Sequence, residues 1–228
     1  AEAVSAPYIL ISVWSPKDEA TPHSHAFAQK LHQRRPAVHF LNGEAPPHDE
    51  VKQAVASAPD APVVIFSHGG SHLAPRRGGP RWSDAQELAQ LLSGRRVYVF
   101  ACDTFTPQQQ LMWNTFATHA VESCIAVFAG YCSTISAPTP AHQLANPHID
   151  TALVHLIEAF LEGEQDPEAL QLIGRQYGSA DLEFRLDLDS EDPEQDGAFG
   201  WSSAQLLQKF FNDLRVHEKV PASAAAAN

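Results

Sequence analysis

Apolar residues along this chain fall into short runs separated by polar stretches with helical spacing. Tyr8 to Trp14 reads YILISVW, β-branched and aromatic, and stops at Ser15-Pro16, which predicts a buried strand. Ser24 to Arg35 then places Phe27, Ala28 and Leu31 at helical spacing. Val38 to Leu41 predicts a weaker second strand, and Glu50 to Ser57 a short helix. Pro62 to Phe66 and Arg96 to Ala101 predict the third and fourth strands, with a helix from Ser83 to Leu92 between them. Pro107, tolerated in a first helical turn, opens a helix from Gln108 to Glu122, and Ile125 to Ala129 is the fifth strand. Near-continuous apolar strands alternating with helices predict an α/β fold, a mostly parallel sheet flanked by helices on both faces.

After Ala137-Pro138-Thr139-Pro140 the pattern becomes more helical, with helices predicted at His148 to Leu161, Pro167 to Tyr177 and Ser202 to Leu214. Leu182 to Leu188 alternates apolar and charged positions, as a half-exposed edge strand does. At 228 residues the chain can bury one sizeable core. Residues 1–220 read as a single domain and 221–228 as a flexible tail of low complexity.

Charge and composition narrow the classes. Fifteen Lys and Arg against 27 Asp and Glu leave a formal charge of -12, which repels a phosphate backbone and excludes nucleic acid as the main partner. No apolar run approaches the ~20 residues of a membrane helix, so no membrane partner is expected. Cys102, Cys124 and Cys132 make neither a disulfide framework nor a CxxC pair, which points to a reducing, cytoplasmic setting. No cofactor or metal is implied. His23, His25 and His32 fit solvated or capping roles better than zinc ligation, and the acidic run from Asp187 to Asp196 lacks EF-hand order because Pro193 interrupts it. Arg76-Arg77-Gly78-Gly79-Pro80-Arg81 reads as an exposed basic loop.

Two apolar strands end in residues with chemistry. Val63 to Phe66 is followed by Ser67-His68-Gly69-Gly70, and Val97 to Ala101 by Cys102-Asp103-Thr104. One loop and one helix separate them, the length a crossover between adjacent parallel strands requires, so His68 and Cys102 are expected on one edge of the sheet. An imidazole there can take the thiol proton, and a histidine neighbour lowers a thiol's pKa. Backbone N–H groups around Gly69, Gly70 and Cys102 would face the developing oxyanion.

These residues carry a resemblance. FSHGG (Phe66 to Gly70) and VYVFACDT (Val97 to Thr104) resemble the His-Gly and Ala-Cys blocks of the caspase-like cysteine peptidases, and the Ala-Cys-acidic-Thr form is most similar to their bacterial CHAT-domain branch. CIAVFAG (Cys124 to Gly130) is similar to the small-residue strand that comes after the nucleophile there. The resemblance implies a caspase-like fold and an endopeptidase that hydrolyses peptide bonds through a thioester on Cys102. His68 would be the general base, with Gly69 and the Cys102 amide at the oxyanion. It also implies a dyad that needs no orienting carboxylate, a protein or peptide substrate, and activation by a protein partner or by processing. Asp103 beside the nucleophile, on an acidic chain, points to a basic P1 residue, and Phe105 and Cys132 are expected to line the substrate pocket. Two alternatives stay open. One is a noncatalytic caspase-like interaction or regulatory domain. The other is an α/β-hydrolase-like esterase using Cys132 or Ser133, with partners from Asp150, His155 or His217.

Overall fold

A strand with no polar face needs cover on both sides, and four strands here are of that kind: β1 (Ile9–Val13), β3 (Val63–Phe66), β6 (Arg96–Phe100) and β7 (Val127–Tyr131), all but Arg96 buried. The computed structural model describes residues 6–105, 124–145, 147–178 and 203–219. Its main sheet adds β2 (His39–Gly43) and β8 (Leu214–Glu218) in the order β2-β1-β3-β6-β7-β8. Every pairing is parallel except the last, so the sheet is mixed, with β8 antiparallel to β7 at one edge.

Period-two alternation splits the core in two. Leu10, Val64, Phe66, Tyr98, Phe100 and Tyr131 face one layer, which receives apolar residues of α1 (Thr21–Arg34), α5 (Ile149–Leu161) and α7 (Ser203–Asn212). Ile9, Ile11, Val63, Ile65, Val97 and Val99 face the other, covered by α2 (His48–Ser57) and α3 (Ala85–Leu91). The short α4 (Pro140–Ala145) and α6 (Pro167–Gly178) complete a more helical C-terminal part. Buried phenols are paired rather than orphaned. Tyr98 and Tyr131 share a hydrogen bond of 2.5 Å, and Tyr8 donates to the Arg35 carbonyl at 2.7 Å. Among the described residues, no helix is long and apolar enough to cross a membrane.

Four details differ from the pattern-based expectation. Ser83 and Asp84 pair with His72 and Leu73 as a small antiparallel ribbon, β4 (His72–Leu73) and β5 (Ser83–Asp84), before α3 begins. Asp84 then opens that helix by a reciprocal capping box with Glu87, both bonds 2.9 Å. The last helix stops at Asn212, and Leu214 starts the unpredicted β8, whose alternation is too short and too charged to register as a strand. His25 is neither solvated nor a cap: it is buried, stacked on Trp14 at 4.2 Å, with Nδ1 2.9 Å from the Ser12 hydroxyl. The helix expected at Gln108 to Glu122, the strand at Leu182 to Leu188, the acidic run and the tail lie outside the described residues.

Burial holds the His25 imidazole below its ordinary pKa. The unfolded chain therefore takes up a proton first as pH falls, and stability is lost on acidification from the ordinary imidazole range downward. NMR titration of the His25 ring is expected to give a midpoint below about 6.5. The denaturant midpoint should fall between pH 7 and pH 5, whereas a ring that titrates at or above the ordinary value would contradict this placement.

Candidate active site

Register places the chemistry. Ile9 pairs with Val63, Val63 with Val97, and Val97 with Phe128, so β1, β3, β6 and β7 end at one edge. Chain order reverses between β1 and β3, because β2 lies on one side of β1 and β3 on the other. The carboxyl ends at such a reversal are where open α/β sheets leave a crevice.

The segment after β3 is pinned before it can wander. Ser67 N–H donates to the Phe100 carbonyl at 3.2 Å, and His68 exchanges backbone bonds with Ala74 at 3.0 and 3.3 Å. The next residue must lack a side chain: a Cβ on Gly69 would stand 2.1 Å from the Cys102 carbonyl oxygen and 2.9 Å from Ala101 Cβ. The histidine and cysteine loops thus lie backbone against backbone. After β6, Asp103 takes a left-handed φ of 49°, while its N–H and that of Phe105 donate to Ser133 and Tyr131 carbonyls on the β7 side, each at 3.0 Å.

His68 and Cys102 line one cavity of about 10 Å³ with Ser24, Ser67, Ile135 and Ser136. That is room for about one water molecule. Cys102 Sγ donates to the Ile135 carbonyl at 3.1 Å and accepts from the Ile135 N–H at 3.3 Å, an arrangement that suits a thiol. Burial, reinforced by the Asp103 charge, pushes Cys102 up to about 11 despite the Ile135 N–H and Lys209, rather than down as a histidine neighbour suggests.

One charged neighbour of His68 is not singled out by the sequence pattern. Asp18, in the segment after β1, has Oδ2 2.8 Å from His68 Nε2, its side chain 8% exposed and that of His68 19%. Burial works against its charge, but N–H groups of Thr21 and Ala20 and the His68 ring outweigh that and hold the carboxyl below its ordinary value. The carboxylate's local signal is an Asp shortly before a helix start at Thr21-Pro22. Its tie to His68 comes only from β1 and β3 being neighbours.

The other expected residues are more scattered. Asp103 is exposed and accepts from the Thr134 hydroxyl at 3.4 Å. Phe105 and Cys132 are buried in the core layer on the other side of the sheet, with Phe105 against Phe128, and neither lines the cavity. Cys132 comes directly after Tyr131, and alternation turns it away from the Cys102 side. For the esterase alternative, Ser133 donates to Asp213 at 2.6 Å, while Asp150 and His155 engage Lys30, Arg34 and Glu158 between α1 and α5. His217 sits in β8 opposite Phe128. His68 and Cys102 line one cavity, and these residues do not join them there. His32 Nδ1 accepts from the Ala37 N–H. Among the described residues, no three His, Cys, Asp or Glu side chains are grouped as a metal site needs.

Gly69→Ala should cost about 1–3 kcal/mol, because backbone rather than a flexible side chain must yield; denaturant unfolding measures it, and a neutral result would deny the close approach. Alkylation of Cys102 by iodoacetamide in the resting protein should keep accelerating beyond pH 9, since the thiolate fraction at pH 8 is roughly one in a thousand. A plateau below pH 8 would show a lowered thiol. Compared with known proteins, the sequence matches no family model and no curated protein.

Proposed function

We propose that this protein is a caspase-like cysteine endopeptidase, with Cys102 as nucleophile and His68 as general base. The observation that supports it best is that these two side chains, delivered by the neighbouring parallel strands β3 and β6, line one cavity at the carboxyl edge of the sheet. In the reaction His68 takes the Sγ proton, and the thiolate attacks the peptide carbonyl carbon. The tetrahedral oxyanion collapses to a thioester as the amine leaves with the proton from His68. Water, losing its proton to His68, then attacks the thioester, and the acid leaves as the thiol is restored. Backbone N–H groups of Gly69 and Cys102 are the proposed oxyanion donors.

A cavity for one water holds no peptide, so the substrate or an activating partner must first draw the Ile135 backbone off Sγ. Losing those contacts would also lower the desolvation that keeps the thiol neutral. Asp103, exposed beside Cys102, is the group proposed to favour a basic residue at P1. The sealed thiol is at the same time the specific observation favouring a second reading, a noncatalytic domain that binds protein partners.

The experiment is hydrolysis of peptides carrying Arg, Lys, Asp or Leu at P1, with a peptidyl chloromethyl ketone as covalent probe. Cys102→Ala should abolish turnover with the unfolding midpoint nearly unchanged, and His68→Ala should slow it about 10² to 10⁴-fold. An H68A protein as fast as the parent would defeat the mechanism. A parent that neither cleaves peptides nor forms the Cys102 thioether would support the noncatalytic reading.

A further inference from the structure

We propose that Asp18 is the positioning residue of this site: its carboxylate accepts the Nε2–H of His68 and so fixes the tautomer whose lone pair is on Nδ1. The inference rests on the reading of His68 as general base. A neutral imidazole has one donor and one acceptor nitrogen, and an ionised carboxylate can only accept. With Asp18 Oδ2 2.8 Å from Nε2, the proton belongs on Nε2, and Nδ1 is the nitrogen left to receive the Cys102 proton. Asp18 takes up no proton in this step. The imidazolium that forms keeps its Nε2–H on the carboxylate, which stabilises the charge.

The carboxylate is held in place from all sides. Oδ2 also accepts from Thr21 N–H at 2.8 Å and Ala20 N–H at 3.0 Å, and Oδ1 accepts from Arg77 N–H at 3.2 Å. Asp18's own N–H donates to the Ser15 carbonyl at 3.1 Å. Those bonds could serve an Asp whose only task is to order the start of α1. The bond to His68 is what separates the two roles, and it arises from topology: the loop after β1 meets the loop after β3 because the strands are adjacent at the reversal of chain order.

The test compares Asp18→Asn and Asp18→Ser with the parent. Asn keeps an oxygen where Oδ2 accepts from Thr21, Ala20 and His68 but lacks the charge that stabilises the imidazolium, and Ser keeps a short acceptor that cannot reach His68. Imidazole ¹⁵N shifts of the folded, histidine-labelled protein at pH 8 should report His68 as the Nε2–H tautomer in the parent and in Asp18→Asn, whose amide oxygen takes the place of Oδ2, moving to a mixture or to Nδ1–H in Asp18→Ser. With peptide substrate, kcat/KM should fall about 10- to 100-fold in both, with the unfolding midpoint less affected in Asp18→Asn. A parental tautomer in Asp18→Ser, or parental kcat/KM in both variants, would overturn the proposal and leave Asp18 a helix-start residue. Should the parent hydrolyse no peptide, the endopeptidase reading falls by itself, and the ¹⁵N shifts still decide whether Asp18 sets the histidine: no change of tautomer in Asp18→Ser overturns it.

Discussion

In-register parallel pairing of β1, β3, β6 and β7 is the constraint on which the site depends. A strand buried on both faces has no freedom to slip by one residue, because a slip would exchange Leu10, Val64 and Tyr98 with Ile9, Val63 and Val97 between two differently shaped layers. Fixed register means fixed strand ends, so the segments that carry Asp18, His68, Cys102 and Ile135 emerge side by side. The chemistry is placed on loops, but the precision of its placement comes from the apolar strands behind them. Gly69 then lets two of those loops touch.

The resting site sets burial against reactivity. Sealing Sγ between the carbonyl and the N–H of Ile135 satisfies its weak hydrogen-bonding capacity and keeps it a thiol. The same sealing removes the solvent that a thiolate needs. His68 is treated differently: it keeps a charged neighbour in Asp18, with which an imidazolium would be well paired. The imidazole and the thiol are thus placed in different surroundings, and the hydrogen bonds on the sulfur come from one residue, Ile135.

Much of this arrangement is legible in the residues, for identifiable reasons. Runs such as Val63 to Phe66 and Val97 to Phe100 are long enough and apolar enough to have one structural meaning, so the polar residues directly after each run stand at a strand end. That logic reaches His68 and Cys102 without any knowledge of the fold. It does not reach Asp18, 50 positions before His68, because alternating strands and helices do not state the order of strands in the sheet. Nor does it reach β8, whose Leu214 and Val216 make an alternation of two, or the β4–β5 ribbon, where each strand is two residues long. His25 defeats it for another reason: a histidine near a helix start is polar by type, whereas its partners, Ser12 and Trp14, come from β1 and the residue after it.

Asp213, the residue just before β8, accepts from Ser133 through its side chain and from the Cys132 N–H through its backbone carbonyl at 2.9 Å, across 80 positions of sequence in the case of Ser133. The segment that covers the sulfur is thus tied down by a part of the chain made much later. On a ribosome, β1, β3 and β6 can assemble while β7 still lacks its antiparallel neighbour, and contacts of such long sequence separation form last. The bonds that tie Cys132 and Ser133, just before the cover over Cys102, are therefore among the last to be set during synthesis.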